Sequence, residues 1–339
     1  MKIGIIGAGL IGKKRSDAIR VLGGDRHIIA VCDIDIEKAL RIAQEWKAEV
    51  FRDWQELLLS DLDAVVVSTS NDSLKDISIA ALQNGKHVLC EKPLGRNVQE
   101  ALAIYSKARE SGKILKTGFN HRHHPAIWKA KSLITEDQLG PIFFIRCVYG
   151  HGGRPGYENE WRASRELCGG GELLDQGVHV VDLFRWFLGE FTSAFGLTRT
   201  FNWNMEVEDN AFAVFRTEKG QVASMHTSWT QWKNQFLFEV FGKKGFLVID
   251  GLGGSYGTET LKVGRRRYKE NRYLGGTPEE EIFKYPGPDI SWIEEWKEFE
   301  SAIQERRDPL GSGFDGLMAI RMIESVYESA KSNKPVDIN

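Results

Sequence analysis

Asp175 and His179 stand four residues apart in Gly169-Gly170-Gly171-Glu172-Leu173-Leu174-Asp175-Gln176-Gly177-Val178-His179-Val180-Val181-Asp182. On a helix that spacing puts both side chains on one face, an acid beside an imidazole. Leu173, Leu174, Val178, Val181, Leu183, Trp186 and Phe187 supply apolar surface around them, so the shared face is expected to be at least partly dry. An imidazole held there next to a carboxylate is a candidate general base, suited to taking the proton of a hydroxyl. The alternative is a helix-surface pair or a satisfied core histidine. Three glycines running into the helix favour the chemical reading, because they let a backbone approach a ligand closely.

At the other end of the chain, the run Lys2 to Ile6 enters Gly7-Ala8-Gly9-Leu10-Ile11-Gly12 and leaves in a helical stretch through Val21. This is GxGxxG between a strand and a helix, the context in which it binds a dinucleotide. Gly7 makes the tight turn, Gly9 lets the chain approach a pyrophosphate, and Gly12 permits close helix packing. The helix N-terminus, with Leu10 and Ile11, faces the anion. A second strand, His27 to Cys32, ends at Asp33, where the fingerprint carries a ribose-binding acid about 20 residues on. A carboxylate there accepts from ribose hydroxyls and repels a 2′-phosphate, so NAD is expected over NADP. Lys13, Lys14 and Arg15 are read as solvated side chains of the helix face.

Strands and helices then alternate. The pattern gives a helix from Ile36 to Trp46, a strand near Val50, a helix from Trp54 to Leu59, a buried strand from Ala64 to Ser68 and a helix from Leu74 to Asn84. Such alternation predicts a parallel, doubly wound sheet. Ser68, Thr69 and Asn71 follow a strand at the ligand-bearing edge of that sheet, as cofactor contacts or as a helix cap. The strand His87 to Cys90 delivers Glu91-Lys92-Pro93 to the same edge, and the proline restricts Lys92, which reads as a positioned ammonium. The strand Ile114 to Thr117 closes the first domain, 1–120.

With these motifs in order, the sequence resembles the Gfo/Idh/MocA oxidoreductase family. The resemblance rests on Gly7, Gly9 and Gly12, on Glu91-Lys92-Pro93, on Gly118-Phe119-Asn120-His121-Arg122, on Trp161-Arg162 and on Gly171 through Asp182. It implies that Lys92, Asp175 and His179 form the catalytic set. Trp161 and Arg162 are implied to line the nicotinamide and substrate side, and Glu91 and Asn120 to join the cofactor contacts. The implied substrate contacts are Lys92, Arg122, His123, Arg154, Tyr157, Asp175, Gln176 and His179. Two positions depart from the family pattern: Leu74 stands where a histidine is frequent, and His123 where an aromatic follows the arginine.

The second half, 121–339, reads as an α+β substrate-binding and oligomerisation domain with a large, mainly antiparallel, open-faced sheet. Its strands are expected at Ile142 to Gly150, Ala194 to Thr200, Asn210 to Thr217, Val222 to Thr230, Phe236 to Gly242 and Phe246 to Asp250. Trp229, Trp232, Phe236, Phe238 and Phe241 crowd these strands beyond what one helix layer buries. Another surface is therefore expected to cover the outer face, which predicts a homodimer or homotetramer. Apolar stripes at Trp292, Trp296, Phe299 and Ile303, and at Leu317, Ile320, Ile323 and Tyr327, read as core helices, and the resemblance implies that they pack back on the first domain.

A formal charge of −2 leaves no excess basicity for a nucleic acid. The one dense basic run, Arg265-Arg266-Arg267, reads as part of an exposed hairpin. Cys32, Cys90, Cys147 and Cys168 have no paired spacing, so neither a zinc site nor a disulfide framework is expected, and a cytoplasmic setting follows. No membrane span or signal peptide is read. No metal is expected, since His121, His123 and His124 lack evident carboxylate or cysteine company and the Lys92 ammonium can polarise the oxygen.

The chemistry that fits is hydride exchange between NAD and a secondary alcohol or ketone. His179 takes the hydroxyl proton, Lys92 stabilises the alkoxide, and Asp175 sets the imidazole tautomer or relays the proton. The polar and aromatic residues His151, Arg154, Tyr157, Asn159, Trp161 and Arg162 suit a polyhydroxylated ring: a sugar, a cyclitol or a nucleotide-sugar. The alternatives are a family reductase of a dihydrodiol or other non-sugar carbonyl, and a non-catalytic NAD(P)-sensing regulator, which has no need of the catalytic set.

Overall fold

A computed structural model describes residues 1–269 and 272–338. The chain divides into two units. One comprises Met1–Asn120, Ser164–Gly169 and Trp292–Ile320; the other comprises His121–Ala163, Gly170–Ser291 and the chain from Arg321 onward. Two later segments thus belong to the first unit, and the long helix Gly313–Ser332 has residues in each.

The first unit is built on β1 (Lys2–Ile6), β2 (His27–Cys32), β3 (Glu49–Phe51), β4 (Ala64–Val67), β5 (His87–Cys90) and β6 (Leu115–Thr117), in the order β3-β2-β1-β4-β5-β6. All pairs are parallel. Helices cover both faces of such a sheet, which is why Ile3, Ile5, Val65, Val66 and Val67 are fully buried without alternation. Helices Leu10–Leu22, Ile36–Trp46, Trp54–Leu58, Asn71–Gln83 and Val98–Ser111 connect the strands. Trp296 and Phe299, on the helix Ser291–Glu305, complete a core with Ile3, Ile19, Val31, Ile42, Val66 and Leu89. Strand order reverses between β1 and β4. Gly7, Asp33, Ser68 and Glu91 follow the carboxyl ends of β1, β2, β4 and β5, at the edge where such sheets bind ligands.

The second unit carries β7 (Ile142–Gly150), β8 (Phe191–Arg199), β9 (Asn210–Thr217), β10 (Val222–Ser228), β11 (Gln235–Gly242), β12 (Gly245–Asp250) and β13 (Glu259–Arg265). Two short strands, β14 (Tyr268–Lys269) and β15 (Arg272–Tyr273), pair with each other, and β16 (Glu280–Tyr285) and β17 (Val336–Asp337) join the main sheet. The nine-stranded order is β16-β13-β12-β11-β7-β10-β9-β8-β17. β7 and β10 run parallel, and the remaining pairs are antiparallel. Burial alternates as a half-covered sheet requires. In β9, Ala211, Ala213 and Phe215 are buried while Phe212, Val214 and Arg216 are exposed.

The crowded aromatics do not lie where the excess was expected. Trp229, Phe236 and Phe238 are fully buried in the core, and only Trp232 among the five is largely exposed. The outer face is nonetheless apolar, through other residues. Leu197 pairs with Phe212, Phe212 with His226, His226 with Val148 and Val148 with Leu237, a row across five strands. The basic run spans two elements: Arg265 ends β13, paired with Gly245, and the exposed Arg267 accepts from the Leu274 N–H at 3.0 Å at the base of the β14–β15 pair. Among the described residues no helix is long and apolar enough to cross a membrane.

Candidate active site

In the first unit the three glycines of the turn divide their labour. Gly7 has φ +93°, and a Cβ on it would sit 2.5 Å from the Ser68 carbonyl oxygen. A Cβ on Gly12 would sit 2.0 Å from the Gly7 carbonyl oxygen. Both are glycine for reasons internal to the fold. A Cβ on Gly9 meets nothing within 4 Å, so no protein neighbour demands glycine there, and its open side suits the approach of a pyrophosphate. The Ser68 hydroxyl donates to the Gly7 carbonyl at 2.8 Å and so braces the turn. Asp33 accepts from the Ala8 N–H at 2.7 Å and the Asp35 N–H at 2.8 Å, which fixes its carboxylate beside the turn. Leu10 is exposed, Ile11 half-buried, and Thr69 accepts from the Ser73 hydroxyl at 2.9 Å.

Three first-unit assignments are corrected by their partners. Asn71 opens its helix and donates to the Cys168 carbonyl at 2.8 Å, so its amide braces the Ser164–Gly169 segment. Arg15, expected in solvent, is fully buried. It binds Glu91 at 2.6 Å and also Glu295, whose other oxygen lies 3.6 Å from the Lys116 ammonium. Glu91 is thus committed to a closed cluster of two cations and two carboxylates rather than open to a cofactor. Burial pushes the Glu91 carboxyl up, against the pull of Arg15. Lys92 follows directly, half-buried, at the end of β5, and its peptide bond to Pro93 is cis. Asn120 is buried at the start of a short 3-10 helix, Asn120–His123.

In the second unit the acid and imidazole lie on an irregular helix. Leu173–Gly177 is a π-helical turn that continues directly into the α-helix Val178–Leu188. Such turns inside helices recur at functional sites. Asp175 is half-buried within the π turn, and His179 is 5% exposed one residue into the α-helix. The glycines before it have a different cause from the one expected. A Cβ on Gly171 would sit 2.0 Å from the Glu208 carbonyl oxygen, and one on Gly170 would sit 2.2 Å from the Tyr327 hydroxyl. Gly169, at φ +86°, would press on Arg96. All three admit protein neighbours, not a ligand. Glu208, buried, accepts from the N–H groups of Gly171 at 3.1 Å and Leu173 at 3.2 Å and from the Tyr327 hydroxyl at 2.7 Å, tying down the start of the helix. Nothing in its local sequence marks it, because its partners are far away in the chain.

The residues around the helix separate into exposed and packed groups. Arg162 lies over the Trp161 ring at 4.5 Å and 3.8 Å from the Asp175 carboxylate, both side chains half-buried. Gln176 donates to the Tyr256 hydroxyl at 2.8 Å. Arg154 is exposed and grips Glu160 at 2.7 and 2.6 Å. Tyr157 is 2% exposed, edge-on to Trp229 at 5.0 Å, which makes it a packing residue rather than a substrate contact. Arg122 is corrected likewise: it is 2% exposed and binds Asp182 through two bonds of 2.8 and 2.6 Å. His123 is buried in parallel with Trp128, their centroids 6.5 Å apart. His124 does have carboxylate company, Glu259 at 3.0 Å. Among the described residues no group of three or more metal-ligating side chains is placed to hold an ion. Burial lowers the His151 pKa, with Asp175 opposing.

The most informative contact is one that sequence reasoning missed. His121, buried, stacks on His179 with centroids 3.8 Å apart and planes 16° apart. No spacing rule joins residues so far apart in the chain.

A parallel sheet with a glycine turn open at Gly9, and the Asp33 carboxylate fixed beside that turn, defines a dinucleotide-binding unit. Two family models agree: one described as oxidoreductase family, NAD-binding Rossmann fold, matches residues 1–119, and one described as GFO/IDH/MocA C-terminal domain matches residues 127–248. The chain belongs to the Gfo/Idh/MocA oxidoreductase family, is a dehydrogenase or reductase, and uses NAD. It is 26% identical to the levoglucosan dehydrogenase of Pseudarthrobacter phenanthrenivorans, covering 100% of this chain and 98% of that protein. It is also 26% identical to the myo-inositol 2-dehydrogenase of Thermotoga maritima, with the same shares covered. A solved structure of levoglucosan dehydrogenase in complex with NADH and levoglucosan superposes with a TM-score of 0.89 at 25% identity, covering 100% of this chain and 99% of that one.

Proposed function

We propose that the chain transfers a hydride between NAD and a secondary alcohol or ketone of a small polyhydroxylated substrate, a sugar, cyclitol or nucleotide-sugar. Bound NAD supplies the hydride acceptor or donor. In this reading Lys92 offers its ammonium to the alkoxide oxygen, and His179 takes the hydroxyl proton in oxidation and returns it in reduction. Asp175, half-buried beside Arg162, favours the protonated imidazole and receives the proton on its way to water. Arg154, Arg162, Trp161 and Gln176 remain the candidates for hydroxyl recognition. Arg122, Tyr157 and His123 act behind them, through packing.

The observation that carries the reading is the setting of His179. Its ring is nearly excluded from water, yet it is spaced from Asp175 by a π-helical register. A structural histidine needs no such helix distortion, and a sensing regulator needs no base. The names of the relatives, a levoglucosan and an inositol dehydrogenase, support a cyclic polyol over a dihydrodiol. Incubation with NAD and a panel of levoglucosan, myo-inositol, free aldoses, nucleotide-sugars and a dihydrodiol, followed by product analysis, tests it. Ketone and NADH are expected from a cyclic polyol, and turnover of the dihydrodiol alone would reject the substrate class.

The same reading includes a homodimer or homotetramer in which a second copy covers the outer sheet face. Its support is the apolar row described above, with Leu197 38% and Phe212 39% exposed, and Val214 beside it on the same face, 46% exposed. A monomer by light scattering at micromolar concentration would reject it. A cytoplasmic setting is supported by four buried cysteines, all free.

A further inference from the structure

The side chains around His179 form a connected polar string inside the second unit. His121 lies face to face with the His179 ring at 3.8 Å. The His121 Nε2 is 3.1 Å from the Tyr149 hydroxyl. The Tyr149 ring lies against that of Tyr256 with centroids 5.1 Å apart, and the Tyr256 hydroxyl accepts from the Gln176 amide at 2.8 Å. Gln176 sits in the π turn between Asp175 and His179, so the string closes on the helix from which it starts. Phe236 and His124 flank His121 edge-on, at 6.1 and 5.7 Å.

A histidine near the start of a helix retains freedom about its side-chain torsions unless something holds it. Here one face of the imidazole is covered by a second flat ring, and that ring is pinned at Nε2. Burial keeps both tyrosines protonated, and the Tyr149 hydroxyl and His121 Nε2 share one hydrogen bond that holds the ring whichever of the two donates. A neutral π face beside His179 tolerates the imidazolium formed when that ring takes a proton, whereas a second cation at 3.8 Å would oppose it.

We propose that His121 is a positioning residue for the hydride-transfer reaction: stacked on His179 and fixed by Tyr149, it holds the plane of the base and gives it an uncharged face on which to carry the proton. The proposal rests on His179 being the base. What it requires of position 121 is a flat, neutral ring, not an imidazole that itself moves protons.

The test uses the full chain with NAD. The polyol that the wild type turns over from a set of levoglucosan, myo-inositol and D-xylose serves as substrate, and His179 imidazole C–H resonances are recorded in parallel, assigned with His179→Ala. His121→Ala is expected to lower kcat about 10-fold with KM and NAD affinity within about 2-fold. It should also move the His179 ring protons downfield, because the ring current of the stacked partner is lost. His121→Phe, which keeps a flat neutral ring, is expected to restore kcat to within about 3-fold of wild type and to leave the His179 resonances shielded. His121→Ala added to His179→Ala should cost nothing further, as expected of residues acting as one unit. An unshifted His179 spectrum in His121→Ala overturns the stacking, whether or not a substrate is found. A Phe variant as slow as the Ala variant overturns the positioning role, since it would mean that the imidazole itself takes part. Near-normal turnover by His179→Ala would instead reject the base assignment, an outcome independent of the His121 arms.

Discussion

Alanine at Gly9 and alanine at Gly12 separate what the glycine turn does for the fold from what it does for NAD. Gly9 has φ −69° and ψ −163°, a conformation open to any residue, and a Cβ there meets nothing within 4 Å. Gly9→Ala is therefore expected to stabilise the protein slightly, by about 0.4–1 kcal/mol, through the unfolded chain alone. For a domain of ~150–250 residues that is a Tm gain of roughly 1–3 °C. A Cβ on Gly12 would sit 2.0 Å from the Gly7 carbonyl oxygen and 3.1 Å from its carbon. Backbone cannot swing aside as a flexible side chain does, so Gly12→Ala is expected to cost about 3 kcal/mol, the upper end for overpacking. The cofactor responds differently. A methyl on the open side of Gly9 blocks the approach of the pyrophosphate, and loss of one hydrogen bond to a charged group, about 1.5–3 kcal/mol, weakens NAD by roughly 10–100-fold. Scanning fluorimetry without NAD and calorimetric NAD titration measure the two effects. Wild-type NAD affinity in a well-folded Gly9→Ala variant would refute the reasoning, because the open side would then face no phosphate.

Asp33→Ser is expected to narrow the preference for NAD over NADP by about 10-fold, read by titrating both cofactors, because the carboxylate that repels a 2′-phosphate is gone. A wild type that prefers NADP would reject the role of Asp33. Glu295→Gln removes one of two carboxylates facing the fully buried Arg15 and Lys116, and is expected to cost about 3 kcal/mol in chemical denaturation. A change below about 0.5 kcal/mol would mean that the cluster does not depend on that charge. His87 is lowered from 6.5 to about 4, by burial first and by Lys113 second, and its Nδ1 accepts from the Ile114 N–H at 3.0 Å. Because the folded pKa lies below the unfolded one, the stability tied to the neutral ring is present above pH 6.5 and is lost as pH falls toward 4. Allowing for partial exposure, His87→Asn should remove about 2 kcal/mol of acid destabilisation between those limits, and parallel urea curves for wild type and variant across that range would disprove it.

The nucleotide unit was legible because its signals are local. A strand, a glycine turn, a helix and an acid at a fixed distance are read within thirty or so residues, and the parallel order follows from strict alternation of strands and helices. In the second unit, Asn210–Thr217, whose residues alternate, and Ile142–Gly150, rich in β-branched and aromatic residues, could be delimited from sequence to the residue. β13 and β16 could not, since Glu280, Glu281 and Lys284 give the edge strand β16 a solvent-facing composition that masks its period. Residues whose role is set by distant partners were misread. Arg15 looked solvated because Glu91 and Glu295 are remote in sequence, and Arg122 and Tyr157 looked like substrate contacts because Asp182 and Trp229 are remote from them. The glycines before the helix that carries Asp175 and His179 were assigned to a ligand although Arg96, Tyr327 and Glu208 are the neighbours that require them. Motif position says which residue types meet, whereas commitment of a side chain to a neighbour is decided by packing across the chain.

Turnover of the Lys92→Ala and His179→Ala proteins, measured beside their NAD affinity on the polyol that the wild type oxidises, tests the catalytic assignment most directly. Each substitution is expected to lower kcat by at least about 100-fold, the usual scale for a general acid, base or charge-stabilising group, with NAD binding within about 3-fold of wild type. Asp175→Ala should lose less, since it acts through the imidazole. Near-normal turnover by either the Lys92 or the His179 variant, or loss of NAD binding in His179→Ala, would contradict the assignment and leave the helix a structural element.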